Sequence, residues 1–391
     1  MKNTKRMKRK FNFKFLAMLS IPIIGISLVV PVFTVNNITN NRLNLWTTYD
    51  NALDNSIALG FAPDFDNAGG SGKIKYGEYL NGFTNDNITQ YVNIDVMDGN
   101  EVNRLPIEKL NLETLILNEW MRADEYKFKG IVNNIAWTSM GDSENATYNE
   151  PMITGGWNYK IQVSIDKAFL MQARDLDRIY PGNKFELKAE EIILKDKQRI
   201  KKINESLFDF KKISIGIISG GGDGANISNS FRFFSPSVYP FFYGSDLNNE
   251  KGLGMQFPEP KDKSFLNNTH YLNSVIAGDT SKQLLEQFKG KFDYLIYTSP
   301  DISSYDKNDV LNSEIKTMLK DPSKANENIE FGKRGKWYTS AWGIIGKRQL
   351  LTYMVEFLNK NNLNVINDDP LLIWNVTPPQ DLVRLRKNEA K

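Results

Sequence analysis

The chain has 391 residues, with 49 Lys and Arg against 46 Asp and Glu, no cysteine, and a single histidine, His270. Without cysteine it cannot form a disulfide, a thiolate metal site or a lipid-modified cysteine, and one histidine excludes a multi-histidine zinc or iron centre. The net charge of +3 comes from the N-terminus: beyond residue 14, 42 basic residues face 46 acidic ones, and a net charge of about −4 argues against nucleic-acid binding.

The N-terminus places an apolar segment after a basic one. Residues 1–14 hold seven basic and no acidic residues, and Phe15–Phe33 holds no charge. A run of this length just suffices to cross a bilayer as a helix, and the basic flank keeps the N-terminus in the cytoplasm. Its length and the lack of a small-x-small cleavage site favour a retained transmembrane anchor, although Pro22 and Pro31 interrupt it. A cleaved signal peptide and a buried helix of a soluble domain are the alternatives. We expect a single-pass cell-membrane protein whose bulk is extracytoplasmic.

Strands and helices alternate after a polar spacer at residues 34–44. A strand begins at Leu45, a helix covers residues 51–60 with Gly60 as its C-cap, and Leu112–Leu117 is typical of a buried parallel strand. Further elements complete a first α/β lobe at residues 45–180: strands at 92–95 and within 130–138, a short helix at 106–111 and a helix within 161–179.

A long helix is predicted next, over residues 185–208. Its apolar residues recur at every third or fourth position, with acidic residues early and basic residues late, as the helix dipole favours. At about 1.5 Å per residue it would span about 36 Å, the length of two lobes. A second α/β lobe is predicted over residues 211–377, with strands at Lys212–Ser219 and Phe292–Tyr297 and a closing helix at Leu350–Asn359. A charged tail follows at 378–391.

This order predicts two Rossmann-like α/β lobes, with mostly parallel sheets, joined by a single long helix after an N-terminal transmembrane segment. Four segments then form an ordered set: residues 50–63 (DNALDNSIALGFAP), 105–117 (LPIEKLNLETLIL), 292–297 (FDYLIY) and 336–357, which begins KWYTSAWGIIG. Together with the export segment and the long helix, they resemble the substrate-binding proteins of iron–siderophore, haem and cobalamin ABC importers. The chain departs from this pattern because Asn111-Leu-Glu replaces the usual Lys-Pro-Asp, and because it has no lipid-bearing cysteine. A spanning helix would do the same anchoring job.

The resemblance implies a function as well as a fold over residues 42–377. It implies a monomeric, non-enzymatic protein without a resident cofactor, whose ligand lies in a shallow cleft between the lobes. The expected ligand is an iron(III)-siderophore of the hydroxamate type, with haem or cobalamin as alternatives, delivered to an ABC permease and its ATPase. The sequence also leaves open an exported surface enzyme and an adhesion or interaction protein. The Asp and Glu residues show no paired spacing typical of hydrolytic acid–base catalysis.

Candidate ligand-binding residues of the first lobe follow its strands. Trp120 and Arg122 come after the strand that ends at Leu117, and ligands of open α/β sheets bind beyond the carboxyl ends of strands. The rigid Arg fork suits hydroxamate, catecholate or carboxylate oxygens, and a Trp ring suits the apolar face of a chelate. The alternative is a Trp120 that packs under a loop and an Arg122 that is merely solvated. Trp46 and Tyr49, near the end of the first strand, are further candidates.

In the second lobe, Gly220–Ser237 (GGGDGANISNSFRFFSPS) is predicted to be a glycine-rich loop at the cleft. It would present Phe231, Arg232 and Phe233, together with the nearby Tyr239. A phosphate-binding loop is disfavoured because its Lys-Ser/Thr ending is missing, and a mobile surface loop without a ligand remains open.

Aromatic residues before the closing helix are the last candidates. Trp337, Tyr338 and Trp342 lie where the resemblance places aromatic cleft residues. Neighbouring residues of a strand face opposite sides, so Trp337 and Tyr338 cannot both face the ligand, and Trp342 is the better candidate. His270 lies in a polar loop and is expected at the surface. No metal-ligating residue is predicted, because a chain with no cysteine and one histidine offers few ligands for a bare metal ion. Any metal is therefore expected to arrive already chelated.

Overall fold

Two five-stranded sheets organise the part of the chain that the computed structural model describes. The described residues are 45–47, 50–66, 90–91, 97–98, 101–102, 104–139, 165–205, 209–220, 230–233, 240–243, 252–262, 276–277, 279–299, 307–333, 343–361, 363 and 365. All of them belong to one unit that extends from Asn41 to Lys391. The predicted anchor at 15–33, the spacer at 34–44, the strand at 92–95 and the tail at 378–391 lie outside the described residues.

The first sheet is entirely parallel. The strands of the first half are β1 (Leu45–Thr47), β2 (Phe65–Asp66), β3 (Gln90–Tyr91), β4 (Met97–Asp98), β5 (Glu101–Val102), β6 (Thr114–Asn118) and β7 (Asn134–Thr138). The sheet has the order β3-β2-β1-β6-β7, and β4 and β5 form a separate antiparallel pair. All five residues of β6 are buried, which confirms the predicted buried strand, although it begins at Thr114 rather than Leu112.

The second sheet is mixed. Its strands are β8 (Ile215–Gly220), β9 (Ser230–Phe233), β10 (Ile276–Ala277), β11 (Tyr294–Ser299) and β12 (Ile329–Lys333), in the order β10-β9-β8-β11-β12. β8, β11 and β12 run parallel, whereas β9 is antiparallel to β8. The prediction of a loop throughout Gly220–Ser237 is therefore wrong over Ser230–Phe233. Phe at alternate positions favours a strand, and the open edge of β8 supplies the backbone partners.

Helices surround both sheets. They are α1 (Asp50–Ala58), α2 (Arg104–Lys109), α3 (Ile165–Ile179), α4 (Phe185–Asn204), α5 (Pro240–Tyr243), α6 (Asp279–Phe288), α7 (Lys307–Asn312), α8 (Ala325–Asn328) and α9 (Ile344–Lys360), with 3-10 helices at Glu119–Phe128, Phe210–Lys212, Glu314–Met318 and Pro322–Lys324. After α1, Gly60 has a φ of 88°, the left-handed conformation expected of a C-cap glycine. α9 begins at Ile344, earlier than the predicted Leu350. Within the described part of the chain, no helix combines the length and apolar character that crossing a membrane requires.

α4 connects the two lobes, as predicted for the long helix. Near its start, the Lys188 ammonium donates a hydrogen bond of 2.7 Å to the carbonyl of Leu59, at the end of α1. At its end, the Asn204 amide donates one of 2.8 Å to the carbonyl of Gly252 in the second lobe. The helix has 20 residues and spans about 30 Å. One helix is thus bonded to the backbone of both lobes.

The largest hydrophobic cluster is shared by the two lobes. It includes Ile57 of α1, Phe169 of α3, Ile192 of α4, Ile217 of β8 and Leu351 of α9. Two smaller clusters pack against one sheet each, around Leu115 and Leu295. Because each fully buried Leu, Ile or Phe side chain contributes about 1.5–3 kcal/mol, the shared cluster strongly favours one arrangement of the lobes.

Buried charges tie α9 to neighbouring helices. The Lys347 ammonium lies 2.6 Å from the carboxylate of Asp166 in α3, and the Arg348 guanidinium bonds the carboxylate of Asp196 in α4. All four side chains are at most 9% exposed. Arg199 of α4 donates to the Arg348 carbonyl at 3.2 Å. Since removing one partner of a buried pair leaves an uncompensated charge, these contacts restrict α9 to one position.

Candidate functional site

Three strands of the first sheet, β1, β6 and β7, have a polar residue at their carboxyl end. Thr47, Asn118 and Thr138 are the last residues of β1, β6 and β7, and each is at most 1% exposed. Asn118 and Thr138 are direct partners in the parallel register. In open α/β sheets ligands bind beyond this carboxyl edge. We call these three residues the first rim.

α1 holds Thr138, one residue of the first rim, through a buried amide network. The Asn51 amide donates to Thr138 Oγ1 and to the Ser139 carbonyl, both at 3.1 Å. The Asn55 amide donates to Gln172 Oε1 at 3.1 Å, and Gln172 donates back to the Ala52 carbonyl at 3.0 Å. Such linked buried hydrogen bonds fix side-chain positions, because each donor left alone would cost its full desolvation. The carboxyl end of β7 is therefore held to α1, and α1 to α3, by buried hydrogen bonds.

Arg122 lies beside this edge, on the 3-10 helix that follows β6. Its guanidinium carbon is 5.1 Å from the centre of the Trp137 ring, and its Nη2 lies 3.6 Å from Glu119 Oε1. The Arg122 side chain remains 46% exposed. Stacking on the buried Trp137 ring orients the planar guanidinium group of Arg122. The exposed N–H groups of that guanidinium remain available to donate to an anionic or strongly polar oxygen.

Asp175 of α3 completes the surroundings of Trp137. Its Oδ2 accepts a hydrogen bond of 3.0 Å from the Trp137 backbone amide, and its Oδ1 lies 3.1 Å from Arg178 Nη2. Burial raises the pKa of Asp175 above its ordinary value, although the Trp137 amide and the nearby Arg178 and Arg122 oppose that change. The carboxylate holds Trp137 and hence the surface on which Arg122 stacks.

The carboxyl edge of the second sheet has a similar composition. In the register of β8, β11 and β12, Thr298 is paired with Ser219 and Gly332, and Ser299 with Lys333. Thr298 is fully buried. Thr298 thus places a buried hydroxyl near the carboxyl edge of the second sheet, as Thr47 and Thr138 do in the first.

Apart from Trp46, the predicted site residues fall into three groups. Arg122 lies at the first lobe's carboxyl edge, exposed as a ligand contact requires. Trp120 belongs to the same 3-10 helix, and Phe231 and Arg232 belong to β9, but only their backbone is described. Tyr49, Tyr239, His270, Trp337, Tyr338 and Trp342 lie outside the described residues. The roles of these residues stay predictions.

Trp46 is a candidate that the structure contradicts. It is fully buried within the cluster that includes Ile107, Leu115 and Trp137. β1 is the middle strand of the first sheet and is buried at all three positions, so the indole serves as core and does not line a cleft.

Sequence reasoning missed Trp137 and the amide network. Asn51 and Asn55 are spaced i,i+4 on α1, which places both amides on one helix face. Thr138-Ser139 directly follows an apolar strand, as polar rim residues do. These signals were present, but they identify a partner only once α1, β7 and α3 are known to meet. Among the described residues, no group of three or more His, Asp or Glu side chains could hold a metal ion.

Comparison with known proteins extends these observations. No family model matches the sequence. No curated protein matches it either. Among solved structures, Staphylococcus aureus SirA is similar at a TM-score of 0.51 and 15% identity, covering 81% of this chain and 98% of SirA. SirA complexed with staphyloferrin B gives 0.50 and 15%, covering 83% and 95%. The Fe3+-Desferal-bound siderophore binding protein FhuD from Vibrio cholerae gives 0.51 and 12%, covering 83% and 99%.

The chain has the fold of these proteins. The coverage of nearly the whole of SirA and FhuD means that both lobes and the connecting helix are shared, and not one lobe alone. The α/β fold predicted from the ordered segments is thereby confirmed, while identities of 12–15% show the fold only.

Proposed function

We propose that this protein is the extracytoplasmic substrate-binding component of an ABC importer and that it carries an iron(III)-siderophore. The observation that carries the proposal is the two-lobed fold, together with the partly exposed Arg122 that Trp137 and Glu119 orient at the carboxyl edge of the first sheet. That fold is shared with FhuD, solved with Fe3+-Desferal, and with SirA, solved with staphyloferrin B. The protein has no enzymatic role in this proposal.

Binding would rest on hydrogen bonds and one oriented cation. A siderophore surrounds its iron with oxygen atoms that keep partial negative charge, so it matches the partly exposed guanidinium of Arg122 beside the carboxyl edge of the first sheet. Arg122 would donate to a metal-bound hydroxamate oxygen, which keeps partial negative charge. Because Trp137 and Glu119 already orient the guanidinium, little side-chain entropy is lost on binding.

Capture would involve little movement of the lobes. Three connections support this: α4 is bonded to both lobes, one hydrophobic cluster spans them, and buried ion pairs hold α9 against α3 and α4. Bending this assembly would separate buried charges and apolar surface at once. The ligand is therefore expected to enter an already formed cleft.

Delivery requires the permease and a position near the membrane. We propose that Phe15–Phe33 is a retained anchor. After capture, the protein would dock on an ABC permease, whose transport is driven by its ATPase. Acidic residues near the cleft would suit this docking. Glu78 and Glu113 are two acidic candidates of the first lobe. Glu113 directly precedes β6 and so lies at the amino edge of the sheet, opposite the first rim, where it is poorly placed for docking near the cleft. Glu78 lies outside the described residues.

Tryptophan fluorescence tests the proposal. The full-length protein in detergent is titrated with a ferric trihydroxamate, a ferric catecholate, haem and cobalamin, with the iron-free hydroxamate as control. We expect saturable quenching by the ferric hydroxamate with a Kd of about 1 µM or below. Absence of saturable quenching by all four ligands would overturn the proposed function. Tighter binding of haem or cobalamin would keep the transport role and replace the ligand.

A further inference from the structure

α4 exposes apolar surface on its outer side. Leu187 and Leu194 are 62% and 57% exposed, whereas Ile192, Ile193 and Ile203 on the inner side of the helix are buried. Seven residues make two helical turns, so both leucines lie on the same face, about 10 Å apart. We call Leu187, Leu194 and the exposed residues between and after them the outer face of α4.

Charge is divided along this face. Glu190 and Glu191 precede Leu194, and Lys197, Lys201 and Lys202 follow it; all five are exposed. The helix dipole explains why acidic residues come early and basic residues late. It does not explain two exposed leucines, whose exposure leaves apolar area in water at a cost of about 25 cal/mol per Å². The combination therefore suggests a surface that is covered in an assembly.

We propose that the outer face of α4 binds a second copy of this chain in an antiparallel, two-fold symmetric arrangement. A symmetry axis beside Leu194 brings the two Leu194 side chains together. Glu190, four residues before the axis, then faces Lys197 of the partner subunit, three residues after it, and Leu187 faces the stem of the partner's Lys201. The same patch is thus complementary to itself, as a two-fold interface requires.

An antiparallel partner is favoured over a parallel one by charge alone. Two parallel copies would place Glu190 and Glu191 against the same residues and Lys197 against Lys197, whereas an antiparallel copy pairs opposite charges. The existing Lys195–Glu191 pair, at 2.5 Å, lies on the exposed surface, where such pairs contribute little and rearrange readily. The resemblance implied a monomer, so this inference goes beyond the proposed function and does not depend on it.

Sedimentation of the full-length protein in detergent tests the proposal. A small, partly charged interface associates weakly, so concentrations up to about 200 µM are needed. We expect a monomer–dimer equilibrium that Leu194→Glu weakens at least about tenfold, because the central apolar contact is lost. Tyr126→Glu is the matched control, since Tyr126 is 65% exposed but lies outside α4; it should leave the equilibrium unchanged.

Charge reversal distinguishes this interface from association through another surface. The E190K/E191K protein and the K197E/K201E protein should each fail to self-associate, because like charges would then meet. Their mixture should form a heterodimer, since opposite charges are restored. A monomeric wild type, a dimer unaffected by Leu194→Glu, or a mixture that stays monomeric would each overturn the proposal.

Discussion

Asp54 lies directly against Gly343, a residue of the other half of the chain, and caps the helix that Gly343 begins. Its Oδ1 accepts the backbone amide of Ile345 at 2.8 Å, and its Oδ2 accepts that of Gly346 at 2.9 Å. Gly343 is the N-cap residue of α9 and brings no side-chain cap of its own. A Cβ at Gly343 would overlap the Asp54 carboxylate. A helix start that normally depends on a local Ser, Thr or Asp is here completed by α1.

Gly343→Ala should destabilise the protein by about 1–3 kcal/mol, because the methyl group displaces Asp54 from both amides. Gly343 has a φ of −122°, so alanine meets no backbone strain there. Urea unfolding followed by circular dichroism measures the change. In an Asp54→Ala background the same substitution should cost much less, since the obstructing carboxylate is gone. Equal costs in both backgrounds would contradict the described contact.

Breaking the Arg348–Asp196 pair should be costly. Arg348→Met leaves the Asp196 carboxylate buried without its closest cation, and we expect a loss of about 3–5 kcal/mol in the free energy of unfolding. The double variant Arg348→Met/Asp196→Leu removes the buried charge as well and should recover most of that loss. Guanidinium unfolding curves of the three proteins provide the measurement. A double variant no more stable than Arg348→Met would contradict the uncompensated Asp196 charge as the cause of the loss.

Tyr180 should give the protein an alkaline transition. Its hydroxyl is 2.5 Å from Thr114 Oγ1, and burial raises its pKa from 10.0 to about 12. A raised folded-state pKa means that the stabilisation is complete below pH 10 and is lost as the pH rises through about 12. Stability measured between these values should fall more steeply in the wild type than in Tyr180→Phe. Parallel curves for the two proteins would contradict this assignment.

Arg122→Ala should weaken ferric-hydroxamate binding about tenfold, because a charge-assisted hydrogen bond is lost. Arg122→Lys should recover only part of the affinity, since an ammonium lacks the planar fork. Arg174→Ala is the matched control: Arg174 is also an exposed arginine that pairs with a carboxylate, but its partner is Glu186 of α4 and not a residue that contacts Trp137. Fluorescence titrations of the three variants test this. An unchanged affinity in Arg122→Ala would remove Arg122 from the site.

Local sequence patterns were sufficient to predict the longer buried strands and the long helix. β6, β8 and β11 are apolar runs whose burial follows from their composition, and α4 is an amphipathic helix of uninterrupted period. Other described elements were not predicted, among them β12, α6 and the strand at Ser230–Phe233. A short edge segment becomes a strand through the backbone partner that it meets, and that partner is distant in sequence.

The candidate site was predictable in place but not in detail. The position of Arg122 beyond β6 followed from chain order, because parallel strands end at one edge. That Trp137 supports its guanidinium, and that Trp46 is core, depended on which strand lies in the middle of the sheet. Both are aromatic residues in apolar strands, so composition alone could not distinguish them.

Composition and periodicity by themselves determined that this chain has no disulfide, carries an uncharged segment near its basic N-terminus, and builds two α/β lobes around a long helix. Those properties depend on residues close together in the sequence. Only the tertiary structure decided how the lobes are joined, since Asp54 meets α9, and Asp166 and Asp196 meet Lys347 and Arg348, across more than a hundred residues. A buried charge must be compensated by an opposite charge or a backbone amide elsewhere in the fold. The sequence shows which residues are charged, but not which residues compensate them.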